Sequence, residues 1–395
     1  MENPLVGQTL KTVPIRLPRK LDRFLHDAFS GFSRCCAPQI KFTDQSMKIN
    51  CERLFNPAEE TKWANSFEDN YYSNQTLRVS SHAPTRLLEL QNIYVTGSEA
   101  FIFSDSHTVL RLCASLDKHP ISKIRRPVRP LALRIDEPVF LLGGRAPGNR
   151  GHFLVEHLPR ILLAHQRMGK EFPRKVLVTP GHGGWQREYL NAFGFTGNEV
   201  IEASPGTTWC RQAWTVPNLS RTGIAELCPP ELYIEMVRRL GLPSAKPASQ
   251  RSSIFITRKD APGRRLANED EIYSIAQRFL PEIRRVSLSG LSVEKQVNLF
   301  NEAKIVIGPH SQAFRGTLYA RDAIIIQLVP GHRSHDNEYR FWADNYSLIG
   351  TLNNNHPVSL YSEDSHAGAA DNEYPAQRFT VELPELLAGA TKHAL

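Results

Sequence analysis

Three stretches of this 395-residue chain bring together side chains that can do chemistry. The first is Gly151-His152-Phe153-Leu154-Val155-Glu156-His157-Leu158-Pro159-Arg160. It follows an apolar run, PVFLLGG at 138–144, and a glycine-containing loop, so it reads as a strand, a turn and the start of a helix. His152 and Glu156 are four apart and share one helix face. A carboxylate beside an imidazole is a general-base pair; on spacing alone it is equally a helix-start histidine with a local partner. The metalloprotease spacing H-E-x-x-H is absent, and the inverted H-x-x-E-H fails by one residue, so no metal is expected here.

The second stretch runs from Thr257 to Glu269. Arg258, Lys259, Arg264 and Arg265 place four cations within eight residues, between a strand end and a helix start. Guanidinium forks and helix N-termini both suit phosphate oxygens, and a solvated basic loop is the competing reading. The third, Gly308-Pro309-His310-Ser311-Gln312-Ala313, also joins a strand to a helix; its histidine beside open backbone N–H groups suits a phosphate or is simply a satisfied loop histidine. His332, His335 and Asp336 lack a closing ligand set for a metal, and a polar helix start explains them.

The elements around these stretches alternate. Strand candidates are PVFLL, KVLVT (175–179), SIFIT (253–257), RRVSLSG (284–290), KIVIGP (304–309) and AIIIQLVP (323–330). Helical patterns lie between and after them, at 152–169, 185–195, 231–241, 268–280, 292–303, 312–320 and 335–347. Apolar strands alternating with amphipathic helices predict parallel sheets covered on both faces. The segment 242–251 reads as a linker between two such lobes. The expected organisation is an irregular N-terminal extension at 1–85 packing on the first lobe, a first α/β lobe at 86–242, a second at 250–350, and a tail at 351–395 with a helix returning to the first lobe.

Composition is that of a globular protein, with 41% hydrophobic and 22% charged residues. The sequence has no apolar run long enough to cross a membrane, and its start lacks the apolar core of a signal peptide, so a cytoplasmic protein is expected. Six cysteines without a C-x-x-C read as reduced thiols. Dinucleotide, P-loop and serine-hydrolase motifs are absent, as are zinc-finger and RNA-binding signatures.

Taken together and in order, the motifs resemble glycosyltransferase family 61, which includes bacterial capsular polysaccharide enzymes, over about residues 85–350. The resemblance is carried by His152, Glu156, Leu158, Pro159 and Arg160; by Gln186, Arg187 and Leu190; by Arg258, Lys259, Asp260, Arg264, Arg265, Asn268 and Glu269; by Glu294 and Gln296; and by Gly308, Pro309 and His310. It implies a GT-B fold, two Rossmann-like lobes facing a central cleft. It implies an inverting, metal-independent transferase with no cofactor, moving a sugar from a nucleotide sugar, typically a UDP-sugar, to a glycan or lipid-linked glycan. Glu156 is then the catalytic base, with His152 as partner or alternative. Asn149, Arg150 and Arg160 lie on the acceptor side. The donor side comprises Arg258, Lys259, Arg264, Arg265, Asn268, Glu269, Gly308, Pro309, His310, Ser311, Gln312 and Gln327. Two positions depart from the family's pattern: Ser311-Gln312-Ala313 stands where G-A-G is usual, and Gln327 where a glutamate is usual. Both changes retune the donor site, or mark a non-catalytic relative that binds glycan or scaffolds an assembly.

The formal net charge of +8 is unevenly spread. Residues 1–41 hold seven Lys/Arg against three Asp/Glu, and residues 111–134 seven against one. The excess therefore lies in and before the first lobe, which favours peripheral contact with an anionic membrane face or a charged, lipid-linked glycan over nucleic acid. Neutralising Lys123, Arg125, Arg126 and Arg129 together is expected to abolish binding to anionic vesicles, measured by co-sedimentation; undiminished binding refutes the membrane contact.

Overall fold

The computed structural model describes two short segments, 41–43 and 52–54, and residues 86–393 apart from 98–99, 104–107, 111–126, 145–146, 180–183, 217–229, 242–245, 264, 331–345, 348, 351, 363–372 and 375–376. Lys123, Arg125, Arg126, Arg264, His332, His335 and Asp336, and the helix expected at 335–347 save its last two residues, lie outside the described residues.

The first half builds one sheet from β1 (Lys41–Thr43), β2 (Glu52–Leu54), β3 (Arg86–Thr96), β4 (Phe101–Phe103), β5 (Thr108–Leu110), β6 (Leu133–Ile135), β7 (Val139–Leu142), β8 (Lys175–Val178), β9 (Val200–Glu202) and β10 (Thr207–Thr215). The strand order is β1-β5-β4-β3-β10-β7-β8-β9, with β2 on β3 and β6 on β10. The strands β7 and β8 pair parallel, as the alternating pattern predicts, and β9 and β10, which the pattern does not reveal, extend the parallel pairing on either side. The sheet as a whole is mixed, because β3 pairs antiparallel with both β10 and β4. The sequence of β10, TTWCRQAWT, hides it: only part of its inward face is apolar, with Cys210 and Ala213 buried beside Thr207, Thr208 and Thr215. The Cys210 thiol is pushed up to about 12 by burial, so it stays protonated and inert.

The second half follows its prediction more closely. Here β11 (Ser252–Ile256), β13 (Arg284–Val286), β14 (Ala303–Pro309), β15 (Ile324–Val329) and β16 (His356–Tyr361) form a sheet in the order β13-β11-β14-β15-β16, every pair parallel. A minor parallel pair joins β12 (Arg265–Leu266) to β17 (Glu373–Tyr374).

The helices are α1 (Arg150–His152), running through a π-turn (Phe153–His157) into α2 (Leu158–Met168), then α3 (Gly184–Ala192), α4 (Pro230–Arg239), α5 (Glu269–Phe279), α6 (Val293–Asn301) and α7 (Gln377–His393). The segment Gln312–Tyr319 is a 3-10 helix. Ser292 caps α6, its side chain accepting from Lys295 N. The tail does contain a helix, α7, but it does not return to the first half. Phe379, Leu383 and Leu387 recur every four residues and bury their stripe against Phe255, Ile272 and Leu360 of the second sheet's layer.

One apolar cluster runs between the two sheets, from Phe140 and Val176 through Leu158 and Leu162 to Phe300, Phe314 and Val306. Gly316 is packed face to face with the fully buried Phe300 ring, and a methyl group there would overlap it. Gly316→Ala is therefore expected to lower stability by about 1–3 kcal/mol, measured by urea unfolding; an unchanged midpoint means the ring has room to move.

Candidate active site

In an open α/β sheet, ligand sites form outside the carboxyl ends of the strands, where the strand order reverses. Both sheets place a sequence motif at such a point. In the first, β7 has β8 on one side and β10 on the other, and its carboxyl end leads to α1 and the His152–Glu156 stretch. In the second, β11 and β14 flank the reversal. Their carboxyl ends carry the Arg258–Lys259 loop and the Gly308-Pro309-His310 turn. The two strands approach so closely that a Cβ on Gly308 would lie 2.8 Å from the Ile256 carbonyl oxygen.

The helix bearing His152 starts on Asn149, whose side chain accepts from Gly151 N (2.9 Å) and His152 N (3.3 Å). One turn later the ladder widens, and Leu158 N–H reaches back to the Phe153 carbonyl. Pro159 is the cause on the chain's side. It has no N–H, so it cannot serve the Val155 carbonyl four residues back. The Tyr233 hydroxyl donates there instead, at 3.0 Å. Glu156 sits inside this π-turn, a form of helix that recurs at functional sites.

The side chains of His152 and Glu156 are nearly buried, and imidazole Nδ1 is hydrogen-bonded to Glu156 Oε1. Arg315 Nη1 of the 3-10 helix approaches the same carboxylate oxygen at 3.5 Å. Arg315 in turn lies over the Tyr346 ring, 5.6 Å from its centroid. The other neighbour of Tyr346 is His310, with ring centroids 5.0 Å apart and planes at 22°. His310 Nδ1 faces Gln327 Oε1 at 3.4 Å, and Gln327 Nε2 donates to Ser347 Oγ at 3.3 Å. One buried polar chain thus joins the pair His152–Glu156 to His310 and Gln327, which the family resemblance assigns to opposite lobes.

The basic loop is organised differently. Lys259 pairs with Asp270 at 2.6 Å, and Arg285 pairs with the same carboxylate at 2.6 Å. These two cations hold the Asp270 carboxyl below its usual range. Arg258 Nη2 donates to the Gly263 carbonyl at 2.8 Å. Glu269 is buried and accepts from Arg258 N and the Thr257 hydroxyl, which fixes the loop to the first turn of α5. Asn268 Nδ2 donates to Glu271, and Arg265 lies in β12, opposite Glu373. Ser311 caps the 3-10 helix through Ala313 N. Arg160, expected on the acceptor side, is fully buried. It donates to the carbonyls of Val216 (2.6 Å) and Gly143 (2.5 Å) and to the Thr215 hydroxyl (3.0 Å), bracing α2 against the ends of β7 and β10.

A cleft of about 380 Å3 lies beside the buried pair. The α1 end supplies Asn149, Arg150 and Gly151, α3 supplies Tyr189, α6 supplies Gln296, and the 3-10 helix supplies Gln312, Arg315 and Tyr319; residues 288–290 close one wall. Of these, Arg315, Tyr189 and Tyr319 escaped the sequence reading, as did Tyr346. The signal for Arg315 was present: one cation inside the otherwise weakly polar QAFRGTLYA, whose burial demands a carboxylate partner. Among the described residues no cluster of three or more His, Cys, Asp or Glu is placed to hold a metal.

A mixed α/β protein with parallel strands, and with histidine–carboxylate chemistry at a strand-order reversal, fits a Rossmann-like transferase. Residues 151–326 match the model of the family described as glycosyltransferase 61. The resemblance read from the motifs therefore stands on an independent match, which begins at Gly151 and ends in β15. It supports a glycosyl-transferring enzyme in general, with a sugar donor and a glycan acceptor. No curated protein matches the chain.

The π-turn depends on the hydroxyl that replaces the missing proline N–H. Tyr233→Phe is expected to cost about 1 kcal/mol of stability, read from chemical unfolding. A loss well below that value means water or a neighbouring group serves the Val155 carbonyl equally well.

Proposed function

We propose that this chain is an inverting glycosyltransferase of GT-B type, with the first sheet's lobe holding the acceptor and the second sheet's lobe holding a nucleotide sugar, a UDP-sugar by resemblance. Its product is a surface or capsular polysaccharide or glycolipid, and it works at the inner face of the membrane. The observation that carries this reading is the buried His152–Glu156–Arg315 cluster, inside the family-matched stretch and beside a cleft. A single displacement needs a base at the acceptor hydroxyl as that oxygen attacks the sugar's anomeric carbon. With Nδ1 bound to Glu156, proton uptake falls to His152 Nε2, and the Glu156 carboxylate stabilises the imidazolium that forms. Of the two arrangements the sequence allows, this is the one with His152 as the base and Glu156 as its orienting partner. The departing nucleotide diphosphate is met by Arg258, Lys259 and the backbone after His310; Lys259 has to leave Asp270 to take part. The non-catalytic alternative rests on Gln312 and Gln327, and it requires that no nucleotide sugar is turned over.

The test is a panel of nucleotide sugars read by thermal shift and by turnover. His152→Gln and Glu156→Gln are each expected to lose about 10²–10⁴-fold in turnover while still binding the nucleotide that stabilises the native chain. Because Glu156→Gln leaves the buried Arg315 charge without its carboxylate, His152→Gln is the cleaner variant. Full activity in it rejects the base assignment.

A further inference from the structure

The cleft carries a charge that its own walls do not cancel. Its lining includes two arginines, Arg150 and Arg315, and no aspartate or glutamate. Arg315 is balanced by Glu156. Arg150 has no carboxylate partner among the described residues. It donates from Nη1 to the Leu291 carbonyl at 3.3 Å and lies over the Trp185 ring, 5.4 Å from the centroid. Those two contacts fix the guanidinium in place without neutralising it, and a guanidinium has five N–H donors.

Tyr189 and Tyr319, one from each half of the chain, supply a further donor. Their buried hydroxyls are 3.0 Å apart and line the same cleft. A pair of phenols holds two protons but spends only one on the bond between them. The second has no acceptor among the described residues. Burial pushes both phenols above their usual range, against the opposing pull of the Arg150 charge, so both stay protonated at neutral pH. The Gln312 side-chain oxygen, packed against Gly151 on the same wall, is buried without a hydrogen-bond partner. The cleft therefore offers a fixed positive charge, a phenolic donor and an amide acceptor, two residues along the chain from His152.

We propose that this cleft binds an acidic sugar of the acceptor, with Arg150 and the second tyrosine proton on a carboxylate or phosphate oxygen and Gln312 Oε1 on a neighbouring hydroxyl. This rests on the glycosyltransferase reading and adds the acceptor's chemical class to it.

The full-length protein is titrated by calorimetry with methyl β-D-glucuronoside, glucose 6-phosphate and the neutral methyl β-D-glucoside. At least one acidic probe is expected to bind about tenfold tighter than the neutral one, the scale of one hydrogen-bonded charge; which of the two binds tells carboxylate from phosphate. Arg150→Gln is expected to abolish that preference, Arg150→Lys to restore part of it, and Tyr319→Phe to weaken the acidic probe alone, while Arg238→Ala on the surface of α4 leaves it intact. Arg150 is partly exposed, and the melting temperature verifies that its variants fold. Equal affinity for acidic and neutral probes, or full preference in Arg150→Gln, overturns the proposal. So does UDP competing with the acidic probe and losing affinity equally in Arg150→Gln, since the charge then serves the donor's diphosphate. Acid preference that depends on Arg150, in a protein that transfers no sugar from any donor, keeps the anion site and rejects the glycosyltransferase reading instead.

Discussion

The contact between Glu156 and Arg315 is the constraint around which the rest is arranged. Both groups are almost fully removed from water, and taking two ions out of water costs several kcal/mol each before their attraction is counted. Such a pair survives only if its surroundings hold it in good geometry and bond its other atoms. Here His152 bonds the carboxylate and Tyr346 lies under the guanidinium. Glu156 comes from the π-turn after β7 and Arg315 from the 3-10 helix after β14, so the pair also ties the two halves of the chain. A buried ion pair is a poor source of stability, and one placed at the reversal points of two sheets is better understood as positioning.

The surrounding contacts agree. Val293 N, at the start of α6, donates to Glu188 of α3 at 2.6 Å, and Gln296 of α6 donates to the carbonyls of Leu288 and Leu291. Arg150 reaches the same Leu291 carbonyl from the other half. These bonds stitch the 288–291 segment to both sides of the cleft. The basic loop, by contrast, is held by exposed ion pairs to Asp270, which salt screens. The cations nearest the second sheet are the more easily released, and those in the cleft the more firmly fixed.

Much of this was legible in the residues because local pattern and tertiary role agree. The second sheet's central strands β11, β14 and β15 are short apolar runs buried on both faces, and β11 and β14 end where a motif begins. The His152–Glu156 spacing needed only a helix to become a contact. What escaped had a physical reason in each case. The strand β10 buries threonines beside alanine and cysteine, so its alternation is faint. The helix α7 shows its stripe clearly, but nothing local to it names the layer it covers. Arg160 looks like a surface cation and is instead consumed by two backbone carbonyls and the Thr215 hydroxyl deep under the sheet. Arg315 and Tyr346 became meaningful only when a carboxylate and a histidine from distant segments arrived at their two sides.

The π-turn has a consequence for the helix that carries it. An ordinary α-helix keeps one angular phase along its length, at about 100° per residue. A π-turn adds one residue without adding a turn, so side chains after Glu156 are rotated by about that angle relative to those before it. Arg150 and Gly151 therefore address the cleft, while Arg160, Ile161 and Leu162 address the sheet from a continuous rod. One helix reads in two phases, and a single deletion within 153–157 would leave every residue present on one side of the turn pointing at the wrong partner.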